Sequence, residues 1–160
     1  MQLRSIHTRP GKRLGFSLLE LLMVIAVMAI IVAIAEPRYA AAVSRYRASA
    51  AAQRIVADLG LAQAKARHLS TSRIVVFTVA TSTYQLTGEA DLSHPASTYT
   101  IALGDKPYQA TLVSVNFAGA AQVTFNGYGV PSSGGTIVVK AGNATNTITV
   151  DADTGVSTIQ

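Results

Sequence analysis

Residues Phe16 to Ala35 read FSLLELLMVIAVMAIIVAIA, and only Ser17 and Glu20 among them are polar. As an α-helix this stretch reaches about 30 Å, the thickness of a bilayer's hydrocarbon core. A helix lying on a soluble core keeps one polar face, and this one keeps none. The segment therefore predicts a single membrane-spanning helix. Arg4, Arg9, Lys12 and Arg13 precede it. Such a basic flank stays cytoplasmic, which orients the rest of the chain outward.

A cleaved secretory signal is the competing reading, and Ala33-Ile34-Ala35 fits its small-x-small cleavage pattern. Signal peptides carry an apolar region of about 7–15 residues, shorter than this run. Glu20 also interrupts the run near its start. A carboxylate within hydrocarbon costs on the order of a few kcal/mol and marks function wherever it is kept.

The stretch Lys12-Arg13-Leu14-Gly15-Phe16-Ser17-Leu18-Leu19-Glu20-Leu21-Leu22 resembles the class III leader of type IV pilins and pseudopilins. The resemblance implies that a prepilin peptidase cuts between Gly15 and Phe16 and methylates the new Phe16 amine. Glu20 then becomes the fifth mature residue, where the family places its assembly glutamate. Pro37 matches a proline common in pilin helices and marks an expected helix kink. The physics gives the motif sense: cleavage leaves a cationic amine beside apolar surroundings, and a neighbour's Glu20 can pair with it. Pairing offsets much of the cost of burying each charge.

Beyond Pro37, which removes a backbone donor and disfavours helix at Glu36, residues 38–70 are rich in alanine and arginine. This is good helix composition. Ile55, Leu59, Ala62, Ala66 and Leu69 fall at helical spacing, as do Tyr39, Val43, Tyr46 and Ala50. One long helix is expected, packing its second half on a sheet, with Gly60 as a place to bend and Ser70-Thr71-Ser72 as its end. Of the net charge of +5, four charges belong to the leader, which leaves +1 for the remainder. Seven basic residues lie between Arg38 and Arg73, and Asp58 is the sole acid there. Arg38, Arg45, Arg47 and Arg54 are candidate contacts for an anionic partner: lipid, DNA or an acidic subunit. A solvated polar face is the plainer reading.

After Arg73 the apolar period drops to two and β-branched residues dominate. Strands are expected at Ile74–Val79, Tyr84–Thr87, Tyr99–Leu103, Thr111–Phe117, Gln122–Phe125, Thr136–Lys140 and Thr147–Val150. Turns such as Asn126-Gly127 separate them, which implies antiparallel sheet. Leu59, Ala62, Ala66-Arg67, then Phe125-Asn126-Gly127-Tyr128-Gly129, Thr136–Val139 and Thr154-Gly155-Val156 resemble the GspH/FimT group of minor pilin-like proteins. Tyr84, Tyr99, Tyr108 and Tyr128 are expected to pack on the sheet, and Glu89 and Asp91 to lie in a loop.

Without cysteine, a disulfide scaffold and a thiol nucleophile are excluded. His7, His68 and His94 have no companions at metal-ligand spacing, and no nucleotide loop or nucleophile elbow occurs. Neither enzyme activity nor a cofactor is expected. Asp151-Ala152-Asp153-Thr154-Gly155 resembles a calcium loop, but its glycine comes one position too early and Asp and Gly are ordinary turn residues.

The fold expected is α+β and pilin-like. Residues 1–15 form a leader, 16–36 a membrane and assembly helix, 37–72 its periplasmic continuation and 73–160 an antiparallel β domain. The resemblance implies a minor pseudopilin of a type II secretion system in the inner membrane. Its partners would be prepilin peptidase, other pseudopilins or pilins, the inner-membrane assembly platform and membrane lipid. A FimT-like minor pilin acting in pilus assembly or DNA uptake is the alternative. From Ile74 onward, two lysines against five acids give a net −3, which disfavours nucleic acid.

Overall fold

The structure, a computed structural model, describes residues 15–91 and 95–160. The leader up to Leu14, with Lys12 and Arg13, and His94 lie outside the described residues. The chain divides into two compact units, Met1–Arg38 and Tyr39–Gln160.

Helix α1, Leu18–Leu69, starts with Ser17 as its N-cap. Ser17 Oγ accepts the Glu20 N–H at 3.2 Å, so Glu20 stands in the first turn, where the helix dipole favours a carboxylate. Pro37 lies inside the helix, whose assignment continues through it, so no unwound segment forms there. The helix ends on Ser70, which takes a left-handed conformation (φ 50°). Its N–H donates to the Arg67 carbonyl at 3.3 Å and the Thr71 N–H to the Ala66 carbonyl at 3.2 Å. These two bonds close a Schellman cap.

Within the second unit, α1 buries Ala48, Ala51, Ala52, Ile55, Asp58, Leu59, Ala62 and Ala66. The expected stripe holds from Ile55 to Ala66, but Leu69 is exposed. Its N-terminal part is rotated: Tyr39 and Tyr46 are exposed, and the inward positions are alanines. Buried alanine loses no rotamer entropy and lets the sheet come close.

Eight strands follow: β1 Arg73–Thr78, β2 Thr83–Ala90, β3 Thr98–Ala102, β4 Thr111–Asn116, β5 Gln122–Phe125, β6 Gly135–Ala141, β7 Ala144–Val150 and β8 Ser157–Ile159. They form two four-stranded sheets, ordered β3-β2-β1-β5 and β4-β6-β7-β8, and every strand pair is antiparallel. Strand β8 was not among the expected strands, and β2 runs to Ala90, so Glu89 sits in a strand. Val75 and Phe77, Val123 and Phe125, Ile137 and Val139, and Ile148 and Val150 alternate inward with period two. Together with the alanines of α1 they make one core. Phe77 of the first sheet stacks on Phe117, just past β4 of the second, with centroids 6.1 Å apart.

Candidate functional site

Every residue from Gly15 to Ala42 is exposed. Phe16 is 83% exposed, and Leu18 through Ile34 present leucine, isoleucine, valine and methionine side chains that nothing in the described chain covers. This continuous surface far exceeds the few hundred Å² of apolar patch tolerated by a soluble monomer. Among the described residues α1 is the one helix long and apolar enough to cross a membrane. Met23, Val24, Val27, Met28 and Ile31 line a shallow groove of about 310 Å³ with no polar wall. Glu20 is exposed at the start of this surface.

The lysines and arginines from Arg38 to Arg73, which look alike in sequence, fall into two groups. Among the described residues Arg38, Arg45 and Arg47 form no ion pair or hydrogen bond. The others are engaged. Lys65 pairs with Glu89, and the Arg67 Nε–H donates to the Tyr128 carbonyl at 3.1 Å. Arg73 Nε lies 3.8 Å from Glu89. Arg54, expected to face outward to an anion, donates from Nε to Asp58 Oδ2 at 3.0 Å.

Asp58 is 5% exposed. Besides Arg54 it accepts the Tyr84 hydroxyl at Oδ2 and the Tyr99 hydroxyl at Oδ1, the latter at 3.1 Å. Arg54 also donates to the Tyr99 oxygen, and its guanidinium lies 6.0 Å from the Tyr99 ring centre. Burial, then the hydrogen bond to Asp58, pushes the Tyr84 phenol well above its usual range. Burial and the Asp58 charge push Tyr99 the same way. Desolvation acts to lower Arg54, yet Asp58 and Tyr99 together hold it above its ordinary value. The buried carboxylate takes donors from α1, β2 and β3, so it links helix to sheet. The available signal was Asp58 itself, an acid beside Leu59 in the apolar stripe and four residues after Arg54.

Three of the segments that resemble the minor pilin-like group meet at one residue. Gln63 Nε2 donates to the Gly129 carbonyl at 2.8 Å and to the Thr154 carbonyl at 2.6 Å. In the first loop Asn126 Oδ1 accepts the Tyr128 and Val130 N–H groups, each at 3.0 Å. Gly127 lies so close to the helix end that a Cβ there would stand 2.9 Å from the Ser70 carbonyl. The turn projects Tyr128 outward, 85% exposed, whereas packing on the sheet was expected. In the second loop Asp151 Oδ1 accepts the Thr154 hydroxyl at 2.7 Å and the Thr154 and Asp153 N–H groups at 2.8 and 3.1 Å. These bonds lower the Asp151 carboxyl, the Thr154 hydroxyl contributing most. Gly155 closes the turn at φ 71°, a conformation that suits glycine. The calcium-like spacing is thus a turn closed on Asp151 Oδ1 by Asp153 and Thr154. Among the described residues no group of three or more His, Cys, Asp or Glu is placed to hold a metal.

Comparison with known proteins agrees with this geometry. Residues 51–154 match the family model of the Type II transport protein GspH, and residues 11–35 match the prokaryotic N-terminal methylation motif. The crystal structure of the type IV minor pilin FimU from Pseudomonas aeruginosa strain PAO1 superposes with a TM-score of 0.55 at 13% identity. The alignment covers 72% of this chain and 90% of that one, a likeness of fold. A comparison with curated protein sequences gives no match.

Proposed function

This chain belongs to the family of the Type II transport protein GspH, and on that premise we propose that it is a minor pseudopilin, a structural subunit of the pseudopilus of a type II secretion system. The observation that carries the reading is the join of the two family matches: a methylation-type N-terminus on an exposed apolar helix, followed by a GspH domain over well over half of the chain. The family and the fold are those of assembly subunits, so the work is done by packing.

In this reading prepilin peptidase cleaves between Gly15 and Phe16 and methylates the Phe16 amine. The helix first holds the subunit in the inner membrane, with the β unit periplasmic. On assembly, the same apolar surface moves from lipid to neighbouring helices, exchanging one apolar environment for another at little cost in hydrophobic energy. Register then needs a polar contact. A neighbour's Phe16 amine pairing with Glu20 supplies it, since a misaligned subunit leaves both charges unpaired. The Ser17 N-cap supports this role, because it holds Glu20 in the first helical turn, four residues from the new terminus. Other pseudopilins and the inner-membrane assembly platform are the partners. Pro37 gives the helix a place to bend during the transfer.

The extracellular proteome of a clean deletion strain tests the reading. Exoproteins held in the periplasm and released on complementation support it. Normal secretion with lost piliation or DNA uptake replaces it with the minor-pilin alternative.

A further inference from the structure

Within the second unit, α1 is joined to the β structure at two levels. The first lies near its C-terminal end. Gln63 holds the Gly129 and Thr154 carbonyls, and Arg67 holds the Tyr128 carbonyl. Only Ser70, Thr71 and Ser72 separate the helix from β1. The second level is Asp58, one carboxylate oxygen of which accepts Tyr84 of β2 and the other Tyr99 of β3. Strand β5, whose loop Gln63 reaches, and strand β3 are opposite edges of the first sheet. The two joints therefore differ in side as well as in level.

Towards the N-terminus the contact changes character. The inward residues before Ile55 are Ala48, Ala51 and Ala52. Among the described residues, no side chain from Tyr39 to Gln53 hydrogen-bonds to a strand. A methyl group gives dispersion contact without direction, so a row of alanines leaves a surface over which a helix can swing sideways. From Gln63 to Asp58 is about 7.5 Å along the helix axis, and from Gln63 to Tyr46 about 25 Å. Sideways play of about 1 Å at Asp58 therefore grows to roughly 3 Å at Tyr46. Hydrogen bonds weaken steeply as they bend or stretch, so two hydroxyls gripping Asp58 from two strands permit little such play.

We propose that Asp58, Arg54, Tyr84 and Tyr99 form an angle lock, a set of positioning groups that fixes the one angle at which α1 crosses the sheets. Their effect is specificity rather than strength. Burying a charge offsets much of what its pairing supplies, so replacing a whole buried network by apolar groups of similar volume leaves stability about level or higher. Removing the acid alone is different, since it strands both hydroxyls and Arg54. Arg54 donates to Asp58 and to Tyr99, and its side chain is 37% exposed. It balances the Asp58 charge from the rim and keeps its water when the network is removed. The lock goes beyond the assembly reading and does not depend on it.

The chain has no cysteine, so nitroxides on introduced cysteines report without background. In full-length protein in detergent, Tyr46→Cys is paired in turn with Thr87→Cys on β2 and Lys140→Cys on β6, all at exposed positions. Double electron–electron resonance reads the distances. Ala64→Cys, exposed beside the pivot, paired with Thr87→Cys is the control. Each pair should give one narrow distance in the parent sequence. Asp58→Leu combined with Tyr84→Phe and Tyr99→Phe should keep the denaturation midpoint at or above the parent's. It should also broaden both Tyr46 distributions by about 3 Å and leave the Ala64 distribution as it was. Asp58→Asn, which still bonds both hydroxyls by accepting one and donating to the other, should keep every distribution narrow. Unchanged Tyr46 widths in the apolar triple variant overturn the proposal, because alanine packing then sets the angle. Equal broadening at Tyr46 and Ala64 overturns it as general loosening. So does a triple variant that no longer folds, because the network would then supply strength.

Discussion

The two ends of helix α1 are both apolar and meet opposite fates. From Leu18 to Ile34 most side chains are large and apolar, and all are exposed. From Ala48 to Ala66 the inward side chains are mostly alanine, and all are buried. Size and pattern account for the difference. The first stretch is apolar around its whole circumference, so a sheet could cover only one side of it. The second gathers its buried positions on one stripe and sets arginine, lysine and glutamine among the residues on the rest. Small side chains bring that stripe close to the strands, and Ile55 and Leu59 supply the bulk. One stretch solves its burial problem within the chain, and the other is left to lipid or to neighbouring subunits.

The contrast can be broken most sharply by truncation. Ile55→Ala should cost about 2–5 kcal/mol of unfolding free energy, as core truncations do. Ile25→Ala should shift it by no more than about 0.5 kcal/mol. Chemical denaturation of the full chain in detergent, followed through the β unit, measures both, and equal effects would erase the distinction. The next largest effect concerns the one charge the buried stripe tolerates. Asp58→Ala should destabilise by roughly 3 kcal/mol, because it strands the Tyr84 and Tyr99 hydroxyls and Arg54 together. Asp58→Asn, still an acceptor, should cost less. The same denaturation experiment reads both, and a fully stable Asp58→Ala would mean that the network contributes nothing to holding helix on sheet.

A smaller effect sharpens the comparison through pH. The raised phenol of Tyr84 keeps its proton in the folded chain after the unfolded chain has lost it. Its stabilisation is therefore complete below about pH 10, the ordinary tyrosine value, and is lost as pH rises beyond it. Tyr84→Phe should flatten the alkaline limb of the stability curve, and an unchanged limb in that variant would contradict the assignment. The smallest effect belongs to the exposed turn. Asp151, whose carboxyl is lowered, contributes stability above the ordinary carboxylate range of about 4 and loses it as pH falls. Asp151→Asn should soften only the acid limb.

What sequence conveyed follows the range of the physics involved. The anchor was legible because a membrane constrains consecutive residues, and the strands because period two and Asn-Gly turns are local. Strand β8 was missed because Ser157 to Ile159 is too short to show a period. Tyr128 was misplaced because an aromatic beside a strand reads as core, while the direction of its loop depends on Asn126 and on contact with Ser70. The Asp58 network was hidden for a different reason. Its partner Arg54 is one helical turn away, but Tyr84 and Tyr99 arrive from strands that only folding brings there. For the same reason sequence could not separate Arg54, which is engaged, from Arg45, which is available.

In the proposed function the exposed stretch of α1 is an assembly element whose register is set at Glu20. The most direct test complements the deletion strain with wild-type chain or with Glu20→Ala, matched for abundance in the membrane, and follows exoprotein release. Wild type should restore release, and Glu20→Ala should remain in the membrane without restoring it. Full restoration by Glu20→Ala would contradict the claim and leave α1 an anchor alone.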